Sequence, residues 1–379
     1  MYLNSILQDP YVALSGETTT DGPFPSPPPL RLLSPMPPQA ALYPRFRYMG
    51  NKFRLLEWIH GVLQQLNFES ATDAFCGSGT VSYLLKSMGK RVETNDSLYF
   101  PTTLSRALIQ NNATRLTLSD ITSLLEAKAH TPEDCYIQKT FEGIFYTAED
   151  LIFLDNIWAG IRQMESPIKQ SLALAALLRS SIKRQPRGVF TISGNGKGYQ
   201  DGRRDLRLTL REHFLEQVDV YNRAVFSNGL PNRAHHGDVF SLPPGNTDLV
   251  YMDPPYVPRS DDNCYMKRYH FLEGLSRYWQ GVEILQNSKV KKIKKPYTPF
   301  GSRNHALEAF ERLFHHFGDA TLVLSYSSNA FPDLDTLMKL MKNVKPRVEV
   351  LKKPHRYHFG THSAVKRNQV DEYLIVGTS

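Results

Sequence analysis

The chain has 379 residues, 41% of them hydrophobic, which is enough for one large domain with an insertion or for two domains. A net charge of +8 and a pI of about 9.2 lean toward a polyanionic partner. No apolar run approaches the roughly 20 residues needed to cross a bilayer, no charged-then-apolar leader opens the chain, and the three scattered cysteines lack metal-ligand spacing. These features argue against a membrane-spanning helix and a cysteine metal site, and lead us to expect no metal and reduced thiols at Cys76, Cys135 and Cys264 in a cytoplasmic protein.

Residues 1–42 are rich in proline, including Pro23, Pro25, Pro27, Pro28, Pro29, Pro35, Pro37 and Pro38. Proline removes backbone donors and fixes φ, so the stretch predicts an extended, poorly ordered tail with neither helix nor central strand. Order is expected from Tyr43. Apolar residues at helical spacing predict a helix over 55–66, followed by a strand at 71–75. The turn Cys76-Gly77-Ser78-Gly79-Thr80 leads into a helix at 81–88 and a strand at 91–94 that ends on Asn95-Asp96. Strand, glycine loop, helix and strand in that order form the first half of a Rossmann-like sheet.

From 101 to 232 helical patterns dominate, at 148–164 and 167–181, broken by the cap-and-proline pair Ser166-Pro167. A polar loop rich in glycine and arginine follows over 183–205, then a helix over 206–224. Strands return at 248–252, 320–326 and 371–376, with a helix at 305–317 before the second of them. The order is α/β, helical insert, α/β. We therefore expect a tail over 1–42, a catalytic domain made of 43–100 and 233–379, and a mainly helical recognition insert over 101–232.

The most specific local signal is Asp253-Pro254-Pro255-Tyr256, at the end of the apolar strand Asp248-Leu249-Val250-Tyr251-Met252. The carboxyl edge of an open α/β sheet is where such folds bind ligands. Two prolines stiffen the loop and leave carbonyls facing outward, Asp253 adds a carboxylate, and Tyr256 adds a flat ring. Together they suit a planar ring bearing an amino group, such as adenine. The ring would stack on Tyr256 while the amine donates to Asp253 and to the Pro254 carbonyl.

The glycine loop carries a second signal. Its spacing is neither a dinucleotide fingerprint nor a phosphate loop with its lysine, and on its own it is compatible with a plain tight turn. Asp73 before the loop and Asp96 at the next strand end disfavour phosphate. They favour a cationic ligand with a ribose, which fits S-adenosylmethionine better than a dinucleotide. Upstream, Arg47-Tyr48-Met49-Gly50-Asn51-Lys52 is either a basic surface turn or a place where Lys52 meets the carboxylate of the methionine moiety. Asp238, in His236-Gly237-Asp238-Val239-Phe240, is either a cap or a partner of the cofactor's adenine.

The 183–205 loop is strongly basic, and glycines such as Gly188, Gly194, Gly196 and Gly198 make it pliable. It is expected to lie on DNA, with Arg184, Arg187, Lys197, Arg203 and Arg204 as candidate contacts. A second run, Lys289 to Lys295, lacks interleaved aromatics and fits phosphate steering or a solvated face.

Taken in order, these pieces resemble the Dam-like, alpha-group DNA adenine-N6 methyltransferases from about Tyr43 to the end of the chain. Leu324-Ser325-Tyr326-Ser327-Ser328-Asn329 and Asp371-Glu372-Tyr373-Leu374-Ile375 are similar to that family's strand end at the target base and to its closing strand. The resemblance implies a Rossmann-like methyltransferase sheet with a target-recognition insert, and S-adenosylmethionine as methyl donor. It implies a donor site lined by Tyr48, Lys52, Asp96 and Asp253, with a loop of Asp73, Phe75, Gly77 and Gly79. One departure stands out: Asp73 occupies a position where Glu is common, one methylene shorter. Direct transfer to an adenine extruded from double-stranded DNA follows, with no covalent enzyme intermediate. The family setting further implies restriction–modification in a prokaryotic or phage nucleoid, and a cognate endonuclease on a separate chain. Transfer to N4 of cytosine, transfer to RNA, and a DNA-binding module without activity are the alternatives.

Overall fold

The structure, a computed structural model, describes residues 34–186, 188–194, 202–257, 265–356 and 369–379. Residues 1–33, Arg187, Lys197 and Cys264 lie outside the described residues.

Order starts earlier than proline content suggests. Pro38–Leu42 is a 3-10 helix with Pro38 at its first position, where the missing N–H would have had no partner in any case. Ala40 is buried, and the Gln39 amide donates to the Tyr83 hydroxyl at 3.1 Å. The expectation of an extended tail through residue 42 is therefore corrected for this segment. Proline forbids helix interiors but not helix starts.

Among the described residues, seven strands form one sheet in the order β3-β2-β1-β4-β5-β7-β6. Here β1 is Ser70–Asp73, β2 Arg91–Asp96, β3 Arg233–His236, β4 Leu249–Met252, β5 Thr321–Ser327, β6 Arg347–Arg356 and β7 Gln369–Thr378. Strands β1 to β5 pair in parallel, and β7 inserts antiparallel between β5 and β6. The expected α/β methyltransferase-type sheet is present.

The central strands are short and wholly buried. β4 reads Leu-Val-Tyr-Met without alternation, as a strand covered on both faces must. β1 is polar in sequence, yet it is pinned at its start: Asp248 accepts from the Glu69 and Ser70 amides at 3.0 and 2.8 Å and from the Ser70 hydroxyl at 2.8 Å. The edge strands escaped the sequence reading. β3 is Arg-Ala-His-His, with no apolar pattern; β6 opens with the short alternation Val348-Glu349-Val350, which Lys352, Lys353 and Pro354 then mask. Charge and proline are what an exposed edge requires.

Helix α1 (Leu56–Leu63) precedes β1, and α2 (Thr80–Ser87) follows it; α3 (Tyr99–Ser105) follows β2. Then come α4 (Leu118–Glu126), α5 (Tyr136–Thr140), α6 (Ala148–Gln163) and α7 (Pro167–Arg184). The helix expected over 206–224 is two pieces, α8 (Arg204–Arg207) and α9 (Leu210–Ala224). Thr209 restarts the helix through a reciprocal capping box with Glu212. The later helices are α10 (Tyr265–Arg277), α11 (Ala306–His316) and α12 (Leu334–Lys342).

The insert helices do not carry a core of their own. Leu172, Leu177 and Phe141 belong to one cluster with Ile59, Leu84, Val92 and Leu249 of the sheet and its flanking helices. The other face of β4 and β5 is covered by α11 and α12 through Phe310, Leu313, Phe314 and Leu337. Each buried Leu or Phe contributes about 1.5–3 kcal/mol, so α7, buried along much of its length, is part of the fold rather than an appendage.

Candidate active site

The strand order reverses at β1, with β2 on one side and β4 on the other. Loops leaving these strands diverge, and a crevice opens at their carboxyl ends. Tyr48, Lys52, Asp73, Phe75, Gly77, Asp96, Asp238, Asp253 and Tyr256 all line this one cleft, as does Pro255. The sheet thus gathers residues spread over more than two hundred positions. Pro254, in the same loop, is buried, and neither it nor Gly79 is among the lining residues.

On the β4 side, Asp253 is half-buried and its Oδ1 lies 3.0 Å from the Lys52 ammonium. Lys52 is itself buried and has the Glu372 carboxylate of β7 at 3.8 Å. Burial pushes the Asp253 carboxyl up, and Lys52 opposes that shift. Lys52 therefore engages the acid of the proline loop, where its sequence position had suggested a partner within the donor. Tyr256 is half-buried and meets Tyr326 of β5 edge to face at 5.8 Å.

On the β1 side, Asp73 is buried. Its Oδ2 accepts from the Ser82 hydroxyl at 2.5 Å, while Oδ1 has no hydrogen-bond partner among the described residues. Burial raises this carboxyl to about 7. At the end of β2, Asp96 accepts from the Gly77 amide on Oδ2 and from the Leu98 amide on Oδ1, both at 2.9 Å. Burial raises it to about 6 against those bonds.

Gly77, at φ +49°, allows a close approach: a Cβ there would lie 2.9 Å from the Tyr48 ring. Gly79, at φ +77°, begins α2, and a Cβ there would meet the Tyr43 hydroxyl at 2.9 Å. Its demand is thus packing rather than ligand contact. Asp238 is exposed and caps the following turn by accepting from the Phe240 amide at 2.9 Å.

Several residues that line the cleft or brace its lining escaped the sequence reading. Phe300 meets Phe75 edge to face at 5.2 Å and lies over Phe240 at 6.2 Å, forming an aromatic slot beside Asp238. Tyr265 and Tyr269 of α10 stack on Tyr48 at 5.2 and 5.3 Å, and the Tyr269 hydroxyl accepts from the Met49 amide at 2.7 Å. Glu273 of the same helix caps α3 by accepting from the Tyr99 and Phe100 amides, and burial raises it to about 7. The signal available for α10 was its run of aromatics, which looks like core. The segment 295–301 advertised itself only through alternating proline and aromatic residues.

The basic loop is placed in part. Arg184 donates to the buried Asp150 at 3.3 Å and to the Leu206 carbonyl, so its guanidinium fastens α7 to α8. Arg203 donates to the Pro186 carbonyl at 2.6 Å. Arg204 pairs with Glu216 while 60% exposed. Of the lysine run, Lys294 pairs with Glu283 at 2.8 Å and Lys295 reaches the cleft.

Residues 48–323 match the family model of the D12 class N6 adenine-specific DNA methyltransferases. This chain belongs to that family. Among its relatives, the type II methyltransferase M2.HphI of Haemophilus parahaemolyticus is 31% identical over 329 residues, covering 83% of this chain and 92% of the relative. The modification methylase LlaI of Lactococcus lactis subsp. lactis is 26% identical, and the type II methyltransferase M.FokI of Planomicrobium okeanokoites is 24% identical. They cover 84% and 86% of this chain, which spans 52% of each of those longer proteins.

The protein is a DNA adenine-N6 methyltransferase, and S-adenosylmethionine is its methyl donor. The D12 methyltransferase's cleft suits that donor. Asp73 Oδ1, without a hydrogen-bond partner among the described residues, could accept from an ammonium, Asp96 presents carboxylate oxygens at the second strand end, and the slot of Phe75, Phe240 and Phe300 could hold a flat heterocycle. Among the described residues no helix is long and apolar enough to cross a membrane.

Proposed function

We propose that this methyltransferase acts on an adenine extruded from duplex DNA at a specific site, in a restriction–modification setting, a reading supported by its similarity to proteins named as type II methyltransferases. The carrying observation is that Asp253, fixed by Lys52, shares one cleft with Tyr256 and with the Asp73–Gly77 loop. The target ring stacks on Tyr256. Its amine donates to Asp253 and to the Pro254 carbonyl, which takes the lone pair out of conjugation and aims it across the cleft.

When bound, S-adenosylmethionine supplies an electrophilic methyl group. Asp73 takes the donor's ammonium, Asp96 takes ribose hydroxyls, and Asp238 with the aromatic slot takes the adenine. Lys52 orients Asp253 from behind and opposes the upward push of burial on its carboxyl. Positioning and fixed charge do the catalytic work. Unstacking the base costs a few kcal/mol, and stacking on Tyr256 returns about 1–3 kcal/mol.

Residues 43–100 and 233–379 form the catalytic part, and 101–232 form the target-recognition part. Arg203, Arg204, Arg187 and Lys197 meet the DNA. Arg184 serves the same surface by holding its base. A cognate endonuclease on the same site and a prokaryotic cytoplasm complete the reading. Expression in a methylation-deficient host, followed by modification mapping of its genome, tests it. N6-methyladenine in one sequence context is expected; an unmarked genome, or one marked only on cytosine, would overturn it.

A further inference from the structure

The chemistry above leaves one ion cluster without a task. Asp205 stands where the basic loop ends. Its Oδ1 accepts from Lys183 at 2.8 Å, and its Oδ2 accepts from Arg47 at 3.0 Å. Lys183 lies in the last turn of α7, where the loop begins. Arg47 immediately precedes Tyr48. One carboxylate therefore ties both flanks of the loop to the segment that lines the donor side of the cleft.

Two further contacts run the same way. Gly188, at φ +64°, lies so close to Arg47 that a Cβ there would be 3.1 Å from the Arg47 Cδ. The Phe190 amide donates to the Arg268 carbonyl at 2.9 Å, and the Phe190 carbonyl lies 2.8 Å from His270 Nε2. Arg268 and His270 are on α10, the helix whose Tyr265 and Tyr269 stack on Tyr48. Tyr48 in turn lies on Gly77 of the donor loop. A shift of the loop flanks thus reaches the donor wall through Arg47 and again through α10.

The cluster is open to an outside anion. The Arg47 side chain is 41% exposed, and two cations share one carboxylate. A phosphate arriving at the loop can pair with Arg47 and Lys183 while the Asp205 tie holds, so its pull is passed along that tie.

We propose that Asp205 and Arg47 are positioning residues that couple duplex binding at the basic loop to donor affinity at the Tyr48 wall. The proposal rests on the reading that Arg203 and Arg204 flank a DNA-contacting loop. Coupling of this kind is reciprocal, so duplex affinity must respond to donor by the same factor.

The test titrates S-adenosylhomocysteine into the full chain, with and without a duplex carrying the mapped site. In the unaltered enzyme, duplex should tighten binding by about 5- to 150-fold. Asp205→Asn and Arg47→Gln should each bring that factor toward one, with the double variant no lower than either single. Affinity in the absence of DNA should stay unchanged, KM for the donor should rise, and kcat at saturating donor should hold. Arg47→Lys should restore part of the factor. A factor untouched by Asp205→Asn, or additive losses in the double variant, overturns the coupling. If Arg203→Ala leaves duplex affinity unchanged, the loop's DNA role fails and the coupling fails with it. If Arg203→Ala weakens duplex binding while Asp205→Asn leaves the factor intact, the coupling alone fails.

Discussion

The donor wall and the basic loop both handle charge, and they are built in opposite ways. Asp96 is buried, and both of its oxygens accept from backbone amides of rigid turns. Arg204 is 60% exposed and is held by one carboxylate, Glu216. The first arrangement fixes a charge at the cost of desolvating it, and that cost appears as raised carboxyls at Asp73 and Asp96. The second leaves the charge hydrated, and under the proposed DNA role it would exchange its carboxylate partner for a phosphate. A small-molecule donor demands the first kind of wall. A polyanion that must be scanned and released demands the second.

The largest break in this contrast should come from the fixed side. Asp253→Asn should lower methyl transfer by about 10²- to 10³-fold, the usual loss when one preorganised polar partner of a reacting group is removed. Duplex affinity by gel shift should stay within a few-fold. Labelled-methyl incorporation near the original rate would end the assignment of Asp253.

Tyr256→Ala should lower turnover by about 5- to 150-fold, corresponding to about 1–3 kcal/mol of lost stacking. Tyr256→Phe should lose only a few-fold, since the ring remains. Equal losses in the two variants would count against a stacked base.

Asp73 offers a pH test. Its folded carboxyl is raised to about 7, above the ordinary value near 3.8. The protonated form is therefore favoured in the free protein, and this contribution to stability is full below pH 4 and is lost as pH rises through 7. Donor binding needs the ionised form, so it runs the other way. Affinity for S-adenosylhomocysteine by calorimetry should rise as pH passes from 6 through about 7. Asp73→Asn should weaken binding about tenfold or more and flatten that rise, because a hydrogen bond to a charged group is worth about 1.5–3 kcal/mol. A slope unchanged in the variant would move the titrating group elsewhere.

The smallest effect should come from the mobile side. Arg204→Ala should weaken binding to all duplexes alike and reduce the dependence of log affinity on log salt by about 1. A selective loss at one sequence would instead make Arg204 a reader of bases.

How much of this was legible in the sequence differs between elements. β4 and the helices α6 and α7 announce themselves by apolar runs and apolar periodicity, and Asp253 to Tyr256 announces its chemistry by composition. β3 was silent because its four residues carry charge and imidazoles instead of a pattern, and in β6 the short Val348-Glu349-Val350 alternation is masked by the Lys352, Lys353 and Pro354 that suit an exposed edge. α10 was silent because stacked tyrosines look the same whether they fill a core or brace a ligand wall. The beginning of order was misplaced by a few residues because Pro38 was read as a breaker, where it serves as a start.

Chain order alone determined the protein's class: an acid and glycines after one strand, Asp-Pro-Pro-Tyr after another, and helices between. Local motifs of that kind depend on neighbours in sequence, which a sequence displays. Tertiary structure alone decided that Lys52 turns to Asp253, that Phe300 closes the slot with Phe75, and that Asp205 grips Arg47 across 158 positions. Those partners are chosen by how helices and strands pack. A side chain's burial and its nearest charge become defined only when the chain has closed on itself.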